Sequence, residues 1–575
     1  MPDGTAPLSC NATLTDPSSL YMQKTVSDRK ITDRQAILDR MPEWNLTEII
    51  PNTVADVSNV PKLHLTPQES EIVQMDATGL AAAIRERRYT AVEVIRAFCH
   101  SATIAQSLTN CLTEVFFDEG LKRAAELDKF LEETGQVVGP LHGVPVSIKD
   151  HICVEGHDTA AGYASWAYKM IATKDAVAVE ILRKAGAILY VKTANPQTLL
   201  SLETNNNIYG RTLNPFNRDL SPGGSSGGES ALISLHGSPL GLGTDIGGSI
   251  RIPAAHCGLY GLKGSVCRMP HAGLMGSHDG MDAIIGALGP IATSARDLAL
   301  FCRVMLEYQP WLVEPPLIEM PWKQEIVDGE GIPKKLTVAI LWDDGVVKPH
   351  PPILDALKYT KDALLRAGHD VINWNPIDHE LHWEILTKLY FLDGGEEYKE
   401  VLKDDPPVPQ TQWILSQIPN GGKPFTVAEI FKINLEREAF RAKIAAYWNA
   451  TVDSTNTGRP VDVVLSPVAP TLAPPHDTTC WWGYTSYWNL MDFPGAVFPV
   501  NRFYAQGYKP VDISEEIELP QQPRNMIDRA VMDQWEPLTY NNAPVSLQLI
   551  GRRLNEEKLL GMLQVVEKAL CLGKD

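Results

Sequence analysis

The sequence predicts an α/β fold, a β-sheet with α-helices laid over it. Three observations predict it. From about residue 76 onward, amphipathic stretches of helical period alternate with short apolar, β-branched runs. Hydrophobic residues make up 44% of the 575-residue chain and charged residues 21%, an ordinary globular balance with enough apolar material for a large core. Residues 201–262 are rich in Gly, Ser and Asn, yet apolar runs such as ALISLHGSPLGLG interrupt them. A loop-rich stretch of that length inside regular structure is expected to be ordered and functional.

The elements follow in order. Residues 1–70 read as an N-terminal arm rich in Pro, Ser, Thr and Asp, and residues 71–575 as one large domain. Within the arm, ITDRQAILDRMPEW forms a helix, with Ile31, Ala36, Ile37 and Met41 near helical spacing. Its mixed charge favours docking on the protein itself over a membrane surface. The run from Asp76 to Asn110 reads as two helices, the second opened by Thr90 as its cap. DEGLKRAAELDKFLEET is another amphipathic helix, and VGPLHGVPVSIKD a strand. DAVAVEILRKAGAILYVKT is a helix, a stop at Gly186, and a strand. KKLTVAILWDDG is a further strand, and PILDALKYTKDALLRAGHDVINW a helix then a strand. Residues 385–450 are largely helical, DVVLSPVAPTLAPP is a strand running into a proline-rich loop, and the tail from Ala543 is a strand followed by an amphipathic helix.

Composition excludes some functions. The net charge of −19, with no basic tail, disfavours nucleic-acid binding, which needs clustered Lys and Arg. Nine scattered cysteines without a C-x-x-C pair read as reduced thiols, and with no signal-like N-terminus the expected location is cytoplasmic. There is no run of eighteen apolar residues, so no transmembrane segment is expected. GLGTDIGG is one residue too long for a dinucleotide fingerprint, and GLYGLKGS lacks the glycine-lysine pair of a phosphate-binding loop. The histidines of His379-Glu380-Leu381-His382 stand three apart, not four, so a polar surface helix is expected there and no metal site. Ser249 does not sit in G-x-S-x-G, which argues against an α/β-hydrolase elbow.

Three separated pieces remain. VPVSIKD, residues 144–150, ends an apolar strand on Lys149. SPGGSSGGES, residues 221–230, sets Ser225 and Ser226 between glycine pairs. GTDIGGSIRIPAAHCG, residues 243–258, places Ser249 after small residues. Two serines and a lysine suggest Ser-Ser-Lys chemistry. A serine hydroxyl is a weak nucleophile until a base takes its proton, and a lysine is that base only when desolvation keeps it neutral.

With these residues the chain resembles the amidase signature family. GVPVSIKD, PGGSSGGESA and PLGLGTDIGGSIRIPAAHCGLYGLKGS carry the resemblance, which is dense from about residue 120 to 310 and returns at YTSYWNLMDFPGAVFPV and APVSLQLIGRRLNEEK. Within the family it is most similar to fungal acetamidase-type amidases, with some likeness to fatty-acid amide hydrolases. The resemblance implies a mixed, twisted central β-sheet covered by α-helices. It implies Ser249 as the acylated nucleophile, Ser225 as the bridging serine after a cis peptide bond, and Lys149 as the base. It implies an oxyanion hole from the N–H groups of Ile246, Gly247, Gly248 and Ser249, with no metal and no cofactor. Ser226, Asp245 and Arg251 would fix the loop by hydrogen bonds, Arg251 through an ion pair at the strand end. Thr198, Leu199, Leu200 and Ser201 align with a segment that lines the acyl site in relatives.

The expected function is hydrolysis of a small-molecule carboxylic amide to acid and amine or ammonia. The alternatives are a lipid amide or ester hydrolase with the same three residues, and an amidotransferase subunit, which the acidic balance disfavours. A homodimer is allowed. The cluster Trp481, Trp482, Tyr484, Tyr487 and Trp488 reads either as core or as a wall of the substrate pocket.

Overall fold

The computed structural model describes residues 17–571 except 47, 49 and 52, with side chains from residue 23 onward. The first sixteen residues of the expected arm lie outside the described residues. Thirteen strands are present among them: β1 (Leu112–Val115), β2 (Pro145–Lys149), β3 (Ile188–Thr193), β4 (Asn205–Asn206), β5 (Gly210–Arg211), β6 (Leu240–Asp245) and β7 (Tyr260–Lys263), then β8 (Ala287–Ala292), β9 (Thr337–Ile340), β10 (Asp370–Asn373), β11 (Val463–Pro467), β12 (Gly495–Arg502) and β13 (Pro544–Ile550). β4 and β5 form a small hairpin of their own. The other eleven form one sheet in the order β1-β3-β2-β6-β8-β7-β12-β13-β11-β9-β10. The sheet is mixed. β3-β2-β6 and β11-β9-β10 are parallel runs, and the strands between and beside them pair antiparallel.

The parallel runs come from the helix-strand alternation read in the sequence. β2, β3, β9 and β11 are buried along their whole length, as expected of strands covered on both faces. Helix Ala91–Thr109 starts at Thr90, whose side chain accepts from the Glu93 N–H while Glu93 accepts from the Thr90 N–H, a reciprocal capping box. This helix is buried almost throughout and covers the sheet around β2.

The arm's helix runs Pro17–Leu38, so it starts earlier than the spacing predicts and stops before Met41, which leads into a separate 3-10 turn at Pro42–Trp44. The helix docks on the domain, but mainly through polar groups. Lys30, 5% exposed, reaches Glu114 at 2.9 Å and Asp158 at 2.7 Å, and Arg34 donates to the Leu112 carbonyl on β1. Among the helix's described apolar side chains Ile31 stays exposed and only Leu38 is fully buried. Apolar periodicity therefore found the helix but not the surface that holds it.

His379 and His382 belong to helix His379–Tyr390 and are buried, which corrects the expected polar surface helix. His379 stacks on Tyr487 at 4.0 Å between ring centroids, and His382 Nε2 lies 2.9 Å from Ser486 Oγ. A histidine ring packs like an aromatic once burial holds it neutral, and the three-residue spacing puts both rings on one face.

Candidate active site

Lys149 ends β2, and Thr244 and Asp245 end β6, its parallel neighbour. Parallel strands open their carboxyl ends toward one crevice, so all three arrive at the same place. Lys149 has no exposed surface, and its Nζ lies 2.7 Å from Ser225 Oγ and 3.0 Å from Thr244 Oγ1. Burial drives its pKa down to about 7, against the pull of the Asp245 and Glu229 carboxylates. Glu229 sits two residues into helix Gly227–Ser234, bonded by the Ser147 and Thr193 hydroxyls. Burial pushes its carboxyl up to about 8 despite those bonds and Lys149. Glu229 lies inside the quoted glycine-serine block, but its burial against a lysine was not readable there.

The two serine loops meet by backbone contact. The Gly224–Ser225 peptide bond is cis, and the Ser226 N–H donates to the Ser249 carbonyl at 3.1 Å. A Cβ on Gly224 would come within 2.6 Å of the Glu203 backbone, so this close approach requires glycine. Ser226 fixes the loop through its main chain. Among the described residues its buried Oγ has no hydrogen-bond partner.

Asp245 organises the second loop. Its carboxylate accepts from the N–H groups of Gly248 (2.9 Å) and Ile250 (3.2 Å) and from the Arg251 guanidinium at 3.0 and 3.1 Å. Asn489 donates to it at 2.9 Å. Burial pushes the Asp245 carboxyl up, but Arg251 and Asn489 outweigh it and hold it at about 2. Arg251, also without exposed surface, completes the ion pair expected at the strand end and reaches Asn489 Oδ1 at 2.6 Å and Gln548 Oε1 at 3.3 Å. From the far side Tyr390 donates to the Ile246 carbonyl and Thr485 to the Gly247 carbonyl, each at 2.7 Å. A trans peptide sets its N–H opposite its C=O, so these bonds aim the next N–H groups the other way. Of the four expected donors, the Gly248 N–H is committed to Asp245. Among the described residues the N–H groups of Ile246, Gly247 and Ser249 carry no hydrogen bond. Gly248 has φ +142°, and a Cβ there would stand 2.4 Å from Thr485 Oγ1, so two constraints require glycine.

Ser225, Ser249 and Thr244 open on one cavity of about 200 Å³. Its walls include Leu199, Leu200, Leu274, Met275, Ile284 and Ile285. Thr198 lines it too, its buried Oγ1 without a partner among the described residues. Ser201 does not reach the cavity, and its hydroxyl donates to the Glu203 carbonyl. Much of the wall comes from residues 271–286, where the sequence offered no periodic signal. The cluster at 481–488 does not line the cavity. Trp481, Trp482, Tyr484, Tyr487 and Trp488 are all buried. Most of it forms helix Gly483–Leu490, the backing that supplies Thr485 and Asn489 to the loop. Among the described residues no group of three His, Cys, Asp or Glu side chains is placed to hold a metal ion.

The chain belongs to the amidase family, whose model, described as Amidase, matches residues 93–560. It is therefore an amidohydrolase, an enzyme of amide bonds. It is 37% identical to an acetamidase of Aspergillus oryzae over 94% of this chain and 98% of that one. It is 38% identical to an acetamidase of Emericella nidulans over 88% of this chain and 91% of that one. A solved fatty acid amide hydrolase superposes with a TM-score of 0.87 at 33% identity, covering 97% of this chain and 96% of that one. No helix among the described residues is long and apolar enough to cross a membrane.

Proposed function

We propose that the protein hydrolyses small-molecule carboxylic amides bearing an apolar acyl group larger than acetyl, through an acyl-enzyme on Ser249. One observation carries the reading. A fully buried lysine with its pKa near neutrality lies 2.7 Å from Ser225 Oγ, at a cavity that Ser249 also lines. Neutral Lys149 takes the proton of Ser225, and Ser225 takes that of Ser249. The Ser249 oxygen bonds to the carbonyl carbon, and the negative charge on the carbonyl oxygen meets the free N–H groups of Gly247 and Ser249. As the C–N bond breaks, Ser225 protonates the leaving nitrogen and recovers its proton from Lys149. Water then enters by the same relay and releases the acid. The apolar walls support the acyl preference, because burying each further methylene gains about 0.8 kcal/mol. Cytoplasmic location fits the reduced cysteines.

The test is release of ammonia from purified protein across primary amides from acetamide to long-chain fatty amides. kcat/KM is expected to rise from acetamide to mid-length acyl groups, and Ser249→Ala to lose about 10⁵-fold or more. Activity retained in Ser249→Ala would overturn the mechanism. A preference for acetamide would overturn the acyl assignment alone.

A further inference from the structure

We propose that His151 is a positioning residue for Lys149, acting through the Thr244 hydroxyl to point the lysine lone pair at Ser225. The inference rests on the amide-hydrolysis reading above and concerns the same site.

The geometry is a chain of three contacts. His151 Nδ1 lies 2.9 Å from the Met275 carbonyl oxygen. His151 Nε2 lies 2.9 Å from Thr244 Oγ1, which lies 3.0 Å from Lys149 Nζ. Each contact fixes the next. A carbonyl oxygen only accepts, so Nδ1 carries a hydrogen. Burial is the largest cause that lowers the His151 pKa well below its ordinary value. The charges of Lys149 on its own strand's end, Lys192 on β3 and His271 on the cavity wall add to it, and the Met275 bond opposes it only partly. The ring is neutral, and with Nδ1 protonated Nε2 is bare. The Thr244 hydroxyl has one hydrogen, and the bare Nε2 takes it. Thr244 Oγ1 is then an acceptor toward Lys149, which must donate an N–H to it. A neutral amine has two hydrogens and one lone pair. With one hydrogen committed to Thr244, the lone pair is free to turn toward the Ser225 hydroxyl at 2.7 Å. The carboxyl groups that face Lys149, those of Asp245 and Glu229, make no hydrogen bond to its Nζ: Asp245 is bonded to Arg251 and Asn489, Glu229 to Ser147 and Thr193.

Without His151 the Thr244 hydroxyl loses its acceptor. It is then free to rotate and donate to the lysine lone pair, in competition with Ser225. His151 also lines the cavity, but both its ring nitrogens are committed, one to Met275 and one to Thr244. It removes the unproductive orientation of its neighbour's neighbour.

Two substitutions separate the halves of the ring. His151→Asn keeps a donor near the Nδ1 position and removes the acceptor toward Thr244. His151→Gln keeps an acceptor near the Nε2 position. On the best amide of the acyl series, His151→Asn is expected to lower kcat about tenfold, with KM within about twofold, the loss of one hydrogen-bonded orientation. Its lower pH limb moves, because a lone pair paired with Thr244 accepts protons less readily. His151→Gln is expected to stay within about threefold of the parent. In a Thr244→Val background, His151→Asn is expected to cost nothing further. Equal losses in the Asn and Gln variants, or a His151→Asn penalty undiminished in Thr244→Val, would overturn the proposal. If the parent turns over amides and Ser249→Ala does not, such a result sinks this inference and leaves the hydrolytic mechanism standing. An inactive parent would sink both.

Discussion

Lys149 and Lys192 sit side by side on β2 and β3, each without exposed surface, yet their surroundings fit opposite tasks. Lys149 stands opposite Thr193, and Lys192 opposite Ile148, so alternation sends the two side chains to opposite faces of the sheet. Burial lowers the pKa of both. Lys192 meets the Asp158 carbonyl at 2.8 Å and Thr159 Oγ1 at 3.0 Å, with Asp150, Glu114 and Asp158 facing it. These acceptors suit an ammonium. Lys149 meets only hydroxyls, and of these Ser225 accepts from an ammonium or donates to an amine equally well. Burial alone therefore does not make a lysine a base. What matters is whether its partners accept either protonation state.

Four measurements break or sharpen this contrast. The largest effect is expected from Lys149→Met, which should lower kcat about 10⁴-fold or more in a folded protein. Lys192→Met should leave kcat of the folded fraction within about threefold. Equal losses would erase the distinction. Next comes stability. Lys192→Met leaves buried Asp150 without its facing cation and should cost about 3 kcal/mol in urea denaturation. Lys149→Met removes a desolvated amine and should cost under about 1 kcal/mol.

Third is pH. A protonated Lys149 has no lone pair, so kcat/KM should fall about tenfold per pH unit below about 7 and level off above it. A flat profile down to pH 5 would assign the base elsewhere. The smallest effect is Thr485→Val, which frees the Gly247 carbonyl and should cost about 1 kcal/mol of stability, with a fall in kcat larger than any rise in KM.

The helix-strand alternation was legible because each unit carries its own period and stop. Thr90 and Gly186 mark an element's start and end with local chemistry. The three glycine- and lysine-bearing pieces were legible because the motif states close backbone approach in residue types. Sheet order beyond resemblance was not, since no local signal says that β12 and β13 insert between β7 and β11. His151 and Thr244 lie in or beside the lysine and serine motifs, yet their pairing was not legible there. A hydrogen-bond chain is a property of distance and tautomer, and neither has a period. Ser201 and the 481–488 cluster show the reverse. A segment alignment named residues near the cavity, while burial decided which of them face it.

The split origin of the cavity has a further consequence. The loop around Asp245 has almost no freedom to vary, because one carboxylate anchors the main chain on several sides and Gly248 admits no side chain. Residues 271–286 belong to none of the named helices, and only its last residues approach β8. An inherited change in that stretch that keeps the Met275 main chain against His151 alters which molecules enter and leaves the bond-breaking apparatus as it was. New diets can therefore be acquired by editing one short passage of the chain, and a designer seeking a different substrate would begin there.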